Sequence, residues 1–140
     1  RNNTLVLEKI TAQQHEIDSY WQTGCAEQAK AFYETIVPAS EGKLDAQDTS
    51  HWNKSRNKCY MEIISSEATT KDGTKLHSLK YIYDVSNGSI VAEYGTVLSS
   101  VGEKAVLCKI LLPTKKLTEE LVDCKDSRLF ENYEYGLMNN

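Results

Sequence analysis

Apolar and small residues recur at about every fourth position through the first third of the chain. This spacing drifts slowly around the 3.6-residue period of an α-helix, so the side chains share one face. We therefore predict a long helix that buries one stripe of residues. The stripe consists of Ile10, Ile17, Trp21, Cys25, Ala29, Phe32 and Ile36.

Three residues mark special positions along this helix. Thr4 is a residue type that caps a helix start, and Pro38 predicts the end, because proline moves the preceding residue out of the helical region. Gly24 lies in the middle, where glycine costs roughly 1 kcal/mol relative to alanine. We therefore expect a close packing contact at Gly24.

Residues 39–57 carry Ser, Gly, Asp, Thr and Asn without an apolar period. This composition predicts a surface connection. A loop of this length in a compact domain is usually functional, or contains a short element that the pattern does not reveal.

The apolar period then changes to two, which is typical of β-strands. Short connections between successive strands predict an antiparallel meander. Residues 71–73 form a turn, and Asn87-Gly88 predicts a type I′ hairpin turn in which both central residues have positive φ. The four predicted strands lie around residues 59–64, 77–83, 90–94 and 106–112.

The predicted sheet has one covered face and one wet face. We expect the long helix to lie across the first face, and Glu62, Lys80 and Glu93 to point into water from the second.

The end of the chain carries Leu129, Phe130, Tyr133 and Leu137 at spacings that suit a short amphipathic helix. The order helix, meander, helix predicts a single α+β domain over residues 1–140, with the long N-terminal helix packed on a four-stranded antiparallel sheet. This layout resembles that of cystatins. Their Gln-x-Val-x-Gly inhibitory loop is absent from the sequence, so cysteine-protease inhibition is not supported.

Composition and charge exclude several classes of function. The 140 residues are 40% hydrophobic and 26% charged, which is typical of a globular protein. The formal net charge is −4 and the basic residues are scattered, so nucleic acid is not an expected partner. Apolar runs such as residues 110–112 are far shorter than the roughly 20 residues of a membrane-spanning helix.

Four cysteines occur without the Cys-x-x-Cys or Cys/His spacing of a zinc site, and they predict two disulfides. Three connectivities are open to four cysteines. The predicted fold places Cys25 of the helix over Cys59 of the sheet, which leaves Cys108 to pair with Cys124. The alternative is four reduced cysteines in the core. Disulfides predict an extracytoplasmic location, which is the periplasm, the cell envelope or the medium.

The chain begins at Arg1 rather than Met. This is typical of a protein from which a secretory signal peptide has been removed, and equally of an engineered boundary. A lipid anchor ahead of Arg1 is compatible with the same observation.

Three segments resemble a set of small uncharacterised bacterial exported proteins, some of them lipoproteins. They are CAEQAKAF at residues 25–32, HWNKSRNKCY at residues 51–60 and YDVSNG at residues 83–88. The resemblance implies an exported location and paired cysteines. It implies no activity and transfers no catalytic residue.

The densest cluster of polar and aromatic residues precedes the first predicted strand. It contains His51, Trp52, Asn53 and Arg56, and it is our first candidate for a binding surface. A histidine titrates near neutral pH and a tryptophan can stack on a ligand. The structural alternative is that Trp52 closes the edge of the core while its neighbours bind loop backbone.

Tyr81, Tyr83 and Tyr94 come from successive predicted strands and form the second candidate. An exposed aromatic face can bind a sugar, a peptide or a protein, whereas a half-buried sheet uses such rings for packing.

The expected function is an exported binding or protein-interaction module, whose partner is a protein or a small molecule. The sequence holds no H-E-x-x-H, Gly-rich phosphate loop or Gly-x-Ser-x-Gly motif, so we expect no metal, no cofactor and no catalytic residue. The alternative is a small hydrolase or lyase that uses His51 or His77 with a nearby carboxylate in a cleft.

Overall fold

The architecture is α+β, with a long N-terminal helix, an antiparallel sheet and a short C-terminal helix. A computed structural model describes residues 2–39, 46–66, 68–69, 72–113, 118–124 and 126–140. The elements are α1 (Asn2–Ala39), β1 (Ala46–Asn53), β2 (Lys58–Ser66), β3 (Ser78–Asp84), β4 (Ser89–Ser99), β5 (Gly102–Pro113), β6 (Glu119–Asp123) and α2 (Ser127–Met138).

The six strands form one antiparallel sheet in chain order, from β1 to β6. The prediction of a meander is confirmed, but the prediction of four strands is wrong. Strand β1 lies inside the segment that we expected to be a loop, where it pairs with β2 from Ala46↔Ser65 to Asn53↔Lys58. Strand β6 pairs with β5 from Lys109↔Asp123 to Pro113↔Glu119. Both added strands lie at an edge of the sheet, where polar residues replace the apolar alternation that reveals a central strand.

The two turns on either side of β3 differ in how far they match the prediction. Lys71, in the first, lies outside the described residues, and Gly73 there has a φ of +87°. The β3–β4 turn contains four residues rather than two, and only Gly88 of its predicted central pair has a positive φ, at +72°. The type I′ prediction is therefore wrong. A Cβ at Gly88 would also approach the Phe32 ring to 3.3 Å, so this position favours glycine.

Helix α1 begins at Asn2, so Thr4 lies within it, and it ends at Ala39, directly after Pro38. A helix of this length extends about 57 Å, which is longer than any strand of the sheet. Its second half packs on the sheet, where Cys25 and Ala29 are buried. Side chains of residues 3–17 are all exposed. The predicted stripe is therefore buried only along the second half.

The sheet is covered on both faces, because successive residues of a strand point to opposite sides. On one face, Cys59, Met61 and Ile63 of β2 pack against α1. On the other, Tyr60 and neighbouring strands pack against α2. The cluster on that second face consists of Tyr60, Ile82, Val91, Ala92, Ile110, Phe130 and Leu137.

The expectation of one wet face is wrong for all three residues named for it. Helix α2 lies over Glu62 and Lys80, which are half-buried, whereas Glu93 lies on the side of α1 opposite Tyr81. Strand β2 has large apolar residues on both sides, and this is why both of its faces are covered.

Two disulfides fasten the helices to the sheet. Cys25–Cys59 joins α1 to β2, and Cys108–Cys124 joins β5 to the segment that precedes α2. Both pairs that the sequence predicted are present. No helix within the described part of the chain has the length and apolar composition needed to cross a bilayer.

Candidate functional site

The predicted cluster around residues 51–56 is divided between the two faces of the sheet. His51, Trp52 and Asn53 are consecutive residues at the end of β1, so the middle one points away from its neighbours. Trp52 lies on the side of α1, whereas His51 and Asn53 lie on the side of α2. The structure therefore does not bring these three residues and Arg56 together as one binding surface.

His51 and Asn53 hold the C-terminal end of α2. The Asn53 side-chain amide, which is fully buried, donates to the carbonyls of Gly136 and Leu137 at 3.0 Å. The His51 Nε2 lies 2.9 Å from the carbonyl of Asn140, which also accepts from the Lys54 amide at 3.1 Å. These contacts use the His51 Nε2 and the Asn53 side-chain amide, which the sequence suggested for ligand binding.

Arg56 packs on α2 as well. Its guanidinium lies 5.9 Å from the centre of the Tyr133 ring, within the range of a cation–π contact. The Arg56 backbone amide donates to the Asn53 side-chain oxygen at 2.9 Å, which fixes the β1–β2 turn. Burial raises the pKa of Tyr133. Arg56 thus serves the contact between the turn and α2.

Trp52, which is half-buried, borders an exposed aromatic surface on the side of α1. Its ring stacks on Trp21 of α1, with centroids 4.9 Å apart and planes inclined by 15°. Tyr20 packs edge-on against Trp21 at 5.7 Å. Trp21 is 46% exposed and Tyr20 is 72% exposed. We call these three residues the aromatic cluster.

Gln22 holds the aromatic cluster in place by linking α1 to the edge strand. Its side-chain oxygen accepts from the Trp52 amide at 2.8 Å, and its amide group donates to the Ser50 carbonyl at 3.3 Å. An open groove of about 430 Å³ lies beside the two tryptophans, bordered by Gly24 and Gln28. The rings are therefore positioned by hydrogen bonds and remain accessible.

The aromatic cluster adjoins the part of α1 that extends beyond the sheet. Asp18, which is half-buried, forms an ion pair with Lys54 of the β1–β2 turn. The hydrogen bond from Lys54 lowers the pKa of Asp18. We call residues 3–21 the exposed half of α1. Its apolar residues with exposed fractions of 46% to 63% include Leu5, Val6, Leu7, Ile10, Ile17 and Trp21.

The tyrosine candidates also divide between the faces. Tyr81 and Tyr83 lie on the side of α1 with their rings 6.2 Å apart, and Phe32 packs edge-on against Tyr83 at 5.3 Å. Burial raises the pKa of both hydroxyls. Tyr94 lies on the opposite face and stacks on Phe130 of α2 at 4.9 Å. These rings are used in packing both helices onto the sheet.

The three histidines lie apart from one another. His77 Nε2 is 3.2 Å from Glu103 Oε1, so this histidine has the nearby carboxylate that the enzyme alternative requires. The two side chains are 43% and 52% exposed, which does not correspond to a cleft. His51 contacts a backbone carbonyl and His15 is exposed on α1. This geometry gives no support to the hydrolase or lyase alternative.

No group of three or more His, Cys, Asp or Glu residues in the described ranges is arranged to hold a metal ion. Comparison of the chain with protein-family models, curated proteins and solved structures finds no match. The resemblance to small exported bacterial proteins therefore stays a prediction.

Sequence reasoning did not identify Tyr20 and Trp21 as site residues. Trp21 belonged to the predicted buried stripe, and Tyr20 carried no pattern of its own. The chain contains two tryptophans, and in the structure their rings stack on each other. Their rarity was the available signal, but their contact depends on how α1 crosses β1.

Proposed function

We propose that this protein is an extracytoplasmic protein-interaction module, and that it binds a partner protein through the exposed half of α1 together with the aromatic cluster. One observation carries the proposal. The apolar stripe of α1 continues past the sheet, so that Leu7, Ile10 and Ile17 remain in water at 50% to 63% exposure.

Large apolar side chains exposed along one side of a helix are a feature of interaction sites on soluble proteins. The exposed residues Leu7, Ile10, Ile17 and Trp21 are three, four or seven positions apart, as are residues on one side of a helix. The same stripe is buried by the sheet farther along α1. A partner protein that covers the exposed part of this stripe would continue the contact that the sheet makes with the second half of α1.

Charge favours a protein partner over a lipid surface. Helices that bind membrane surfaces carry Lys and Arg on their polar face, which anionic lipids attract. Among residues 3–21 the only such residue is Lys9, against three acidic residues, Glu8, Glu16 and Asp18. A convex helix surface also lacks the enclosure that small ligands require.

Aromatic rings strengthen the proposal, since Trp and Tyr contribute most strongly to protein interfaces. Trp21 is stacked on Trp52 of the edge strand, so the Trp21 ring loses little conformational freedom on binding. Tyr20 packs edge-on against Trp21. The Cys25–Cys59 disulfide anchors the helix one turn farther along. Two disulfides are also typical of extracytoplasmic proteins.

Capture from the native envelope or culture medium tests the proposal, with purified protein as bait and three forms compared. Ile10→Ser/Ile17→Ser changes the apolar stripe, and Glu16→Gln changes a residue on another side of the same segment. We expect one and the same protein to be recovered with wild type and Glu16→Gln, and at least tenfold less with the double variant. Binding of that purified protein is then measured directly by calorimetry.

Circular dichroism and thermal unfolding serve as controls for folding. Ile10 and Ile17 are exposed, so the double variant keeps the melting temperature of wild type. Equal capture by all three forms, or no specific capture from either source, contradicts the proposed function.

A further inference from the structure

Two acidic side chains meet where α2 covers the sheet. Glu62 lies in the middle of β2 on the face that α2 covers, and Glu134 lies on α2. Lys80 of β3 donates to Glu134 Oε2 at 3.5 Å. The side chains of Lys80 and Glu134 are 32% and 20% exposed, so the group is largely shielded from water.

Glu62 is the member without a cationic partner of its own. Its Oε2 atom is buried and has no hydrogen-bond partner. An ionised carboxylate in that position would lack both water and a donor, which is strongly unfavourable. The neighbouring Glu134 offers a second carboxyl group. Two carboxyl groups can form a hydrogen bond only when one of them carries a proton.

The surrounding groups do not remove this requirement. Lys80 of β3 favours the ionised form of Glu62, but it is engaged by Glu134. From the other strands, His51 of β1 contacts Asn140, and Tyr94 of β4 stacks on Phe130. Burial, followed by the hydrogen bond and the negative charge of Glu134, raises the pKa of Glu62 to about 8.

Helix α2 is attached differently at its two ends. Its start follows Cys124, which is bonded to Cys108, and Asp126 caps the first turn by accepting from the Leu129 amide. Its end is held by non-covalent contacts, which include the hydrogen bonds of His51 and Asn53 of β1 and the packing of Leu137 in the core. Glu134 lies between these attachments.

We propose that Glu62 and Glu134 share one proton that fastens the end of α2 to the sheet, and that the release of this proton to solvent loosens this end while the Cys108–Cys124 disulfide retains the start. This inference concerns the face opposite α1 and is independent of the proposed function. A carboxyl group with a raised pKa stabilises the folded state fully below its unfolded pKa. That contribution is lost as pH rises towards and through about 8.

Carbon-13 NMR of the side-chain carboxyl groups of the full chain tests the shared proton directly. We expect the Glu62 signal to titrate near pH 8. A Glu62 signal that titrates below pH 6 overturns the proposal. This measurement uses wild-type protein and does not depend on whether any variant folds.

Amide hydrogen exchange tests the loosening of α2. In wild type, exchange in the second half of α2, corrected for its intrinsic pH dependence, should rise about tenfold between pH 7 and pH 9 if opening exposes Glu62. Glu62→Gln should abolish the rise, because the amide cannot ionise, whereas the matched control Glu131→Gln should retain it. An equal alkaline rise in Glu62→Gln, or no rise in wild type, contradicts the proposed role of the proton.

Discussion

The two halves of α1 carry the same apolar pattern but have different surroundings. In the second half, Cys25 and Ala29 are buried against β2, and Phe32 packs on Tyr83. In the first half, Ile10 and Ile17 occupy the same stripe and are exposed. A hydrophobic period shows which side chains share a face of a helix. It does not show whether the chain itself supplies the surface that covers this face.

The difference also separates residues that stabilise the fold from residues available for binding. Substitutions in the second half of α1 should change the free energy of unfolding. Substitutions of exposed residues in the first half should leave it nearly unchanged, because little surface there is buried on folding.

The largest expected effect comes from removing the disulfide that anchors the packed half. Cys25→Ala/Cys59→Ala should lower the free energy of unfolding by about 4 kcal/mol, because the bond closes a long loop in the unfolded chain. The Cys108–Cys124 bond closes a shorter loop, so Cys108→Ala/Cys124→Ala should lower the free energy of unfolding by about 3 kcal/mol. Denaturant titration of both variants measures the two values. A loss below about 1 kcal/mol for the first pair would contradict the idea that this bond anchors α1.

A smaller effect is expected from enlarging a buried alanine. Ala29 is only 1% exposed, so Ala29→Leu should destabilise the fold by about 1 to 3 kcal/mol through overpacking. The matched substitution Ala12→Leu lies in the exposed half and should change the free energy of unfolding by less than about 0.5 kcal/mol. Similar losses in urea unfolding of the two variants would erase the distinction between the halves.

The smallest effect is an expected gain at Gly24, close to the junction of the halves. The close packing that the sequence suggested for Gly24 is wrong, since an added Cβ meets no atom within 4 Å. Gly24→Ala should therefore raise the free energy of unfolding by about 1 kcal/mol through helix propensity alone. Thermal unfolding measures the change. A lower melting temperature would indicate that backbone freedom at this position matters to the fold.

The sequence predicted those parts of the fold whose pattern is local. The period of α1, the four inner strands and the amphipathic α2 are visible as spacings, and Phe130 and Leu137 are buried as expected. The disulfide pairing could be predicted because the predicted fold placed α1 against the first inner strand. The covering of the second face was not predicted, because it depends on where α2 returns after β6.

The candidate site was less predictable than the fold. His51, Trp52 and Asn53 are neighbours in sequence, but strand geometry sends Trp52 to one face and the other two to the opposite face. The partner of Trp52 is Trp21, 31 positions earlier in the chain. Likewise, the ion pair between Lys80 and Glu134 joins a strand to a helix near the end of the chain. Such long-range pairs leave no local periodicity.

The polar composition of β1 and β6, because of which these strands were not predicted, also affects how copies of this protein associate. An outermost strand offers unpaired backbone groups to which a foreign strand can add. Here Gln47, Asp48 and Thr49 are exposed along one border, and Glu119, Glu120 and Asp123 along the other. Carboxylates on both borders would repel those of another copy. We therefore expect the edges of the sheet to disfavour the addition of a strand from another copy.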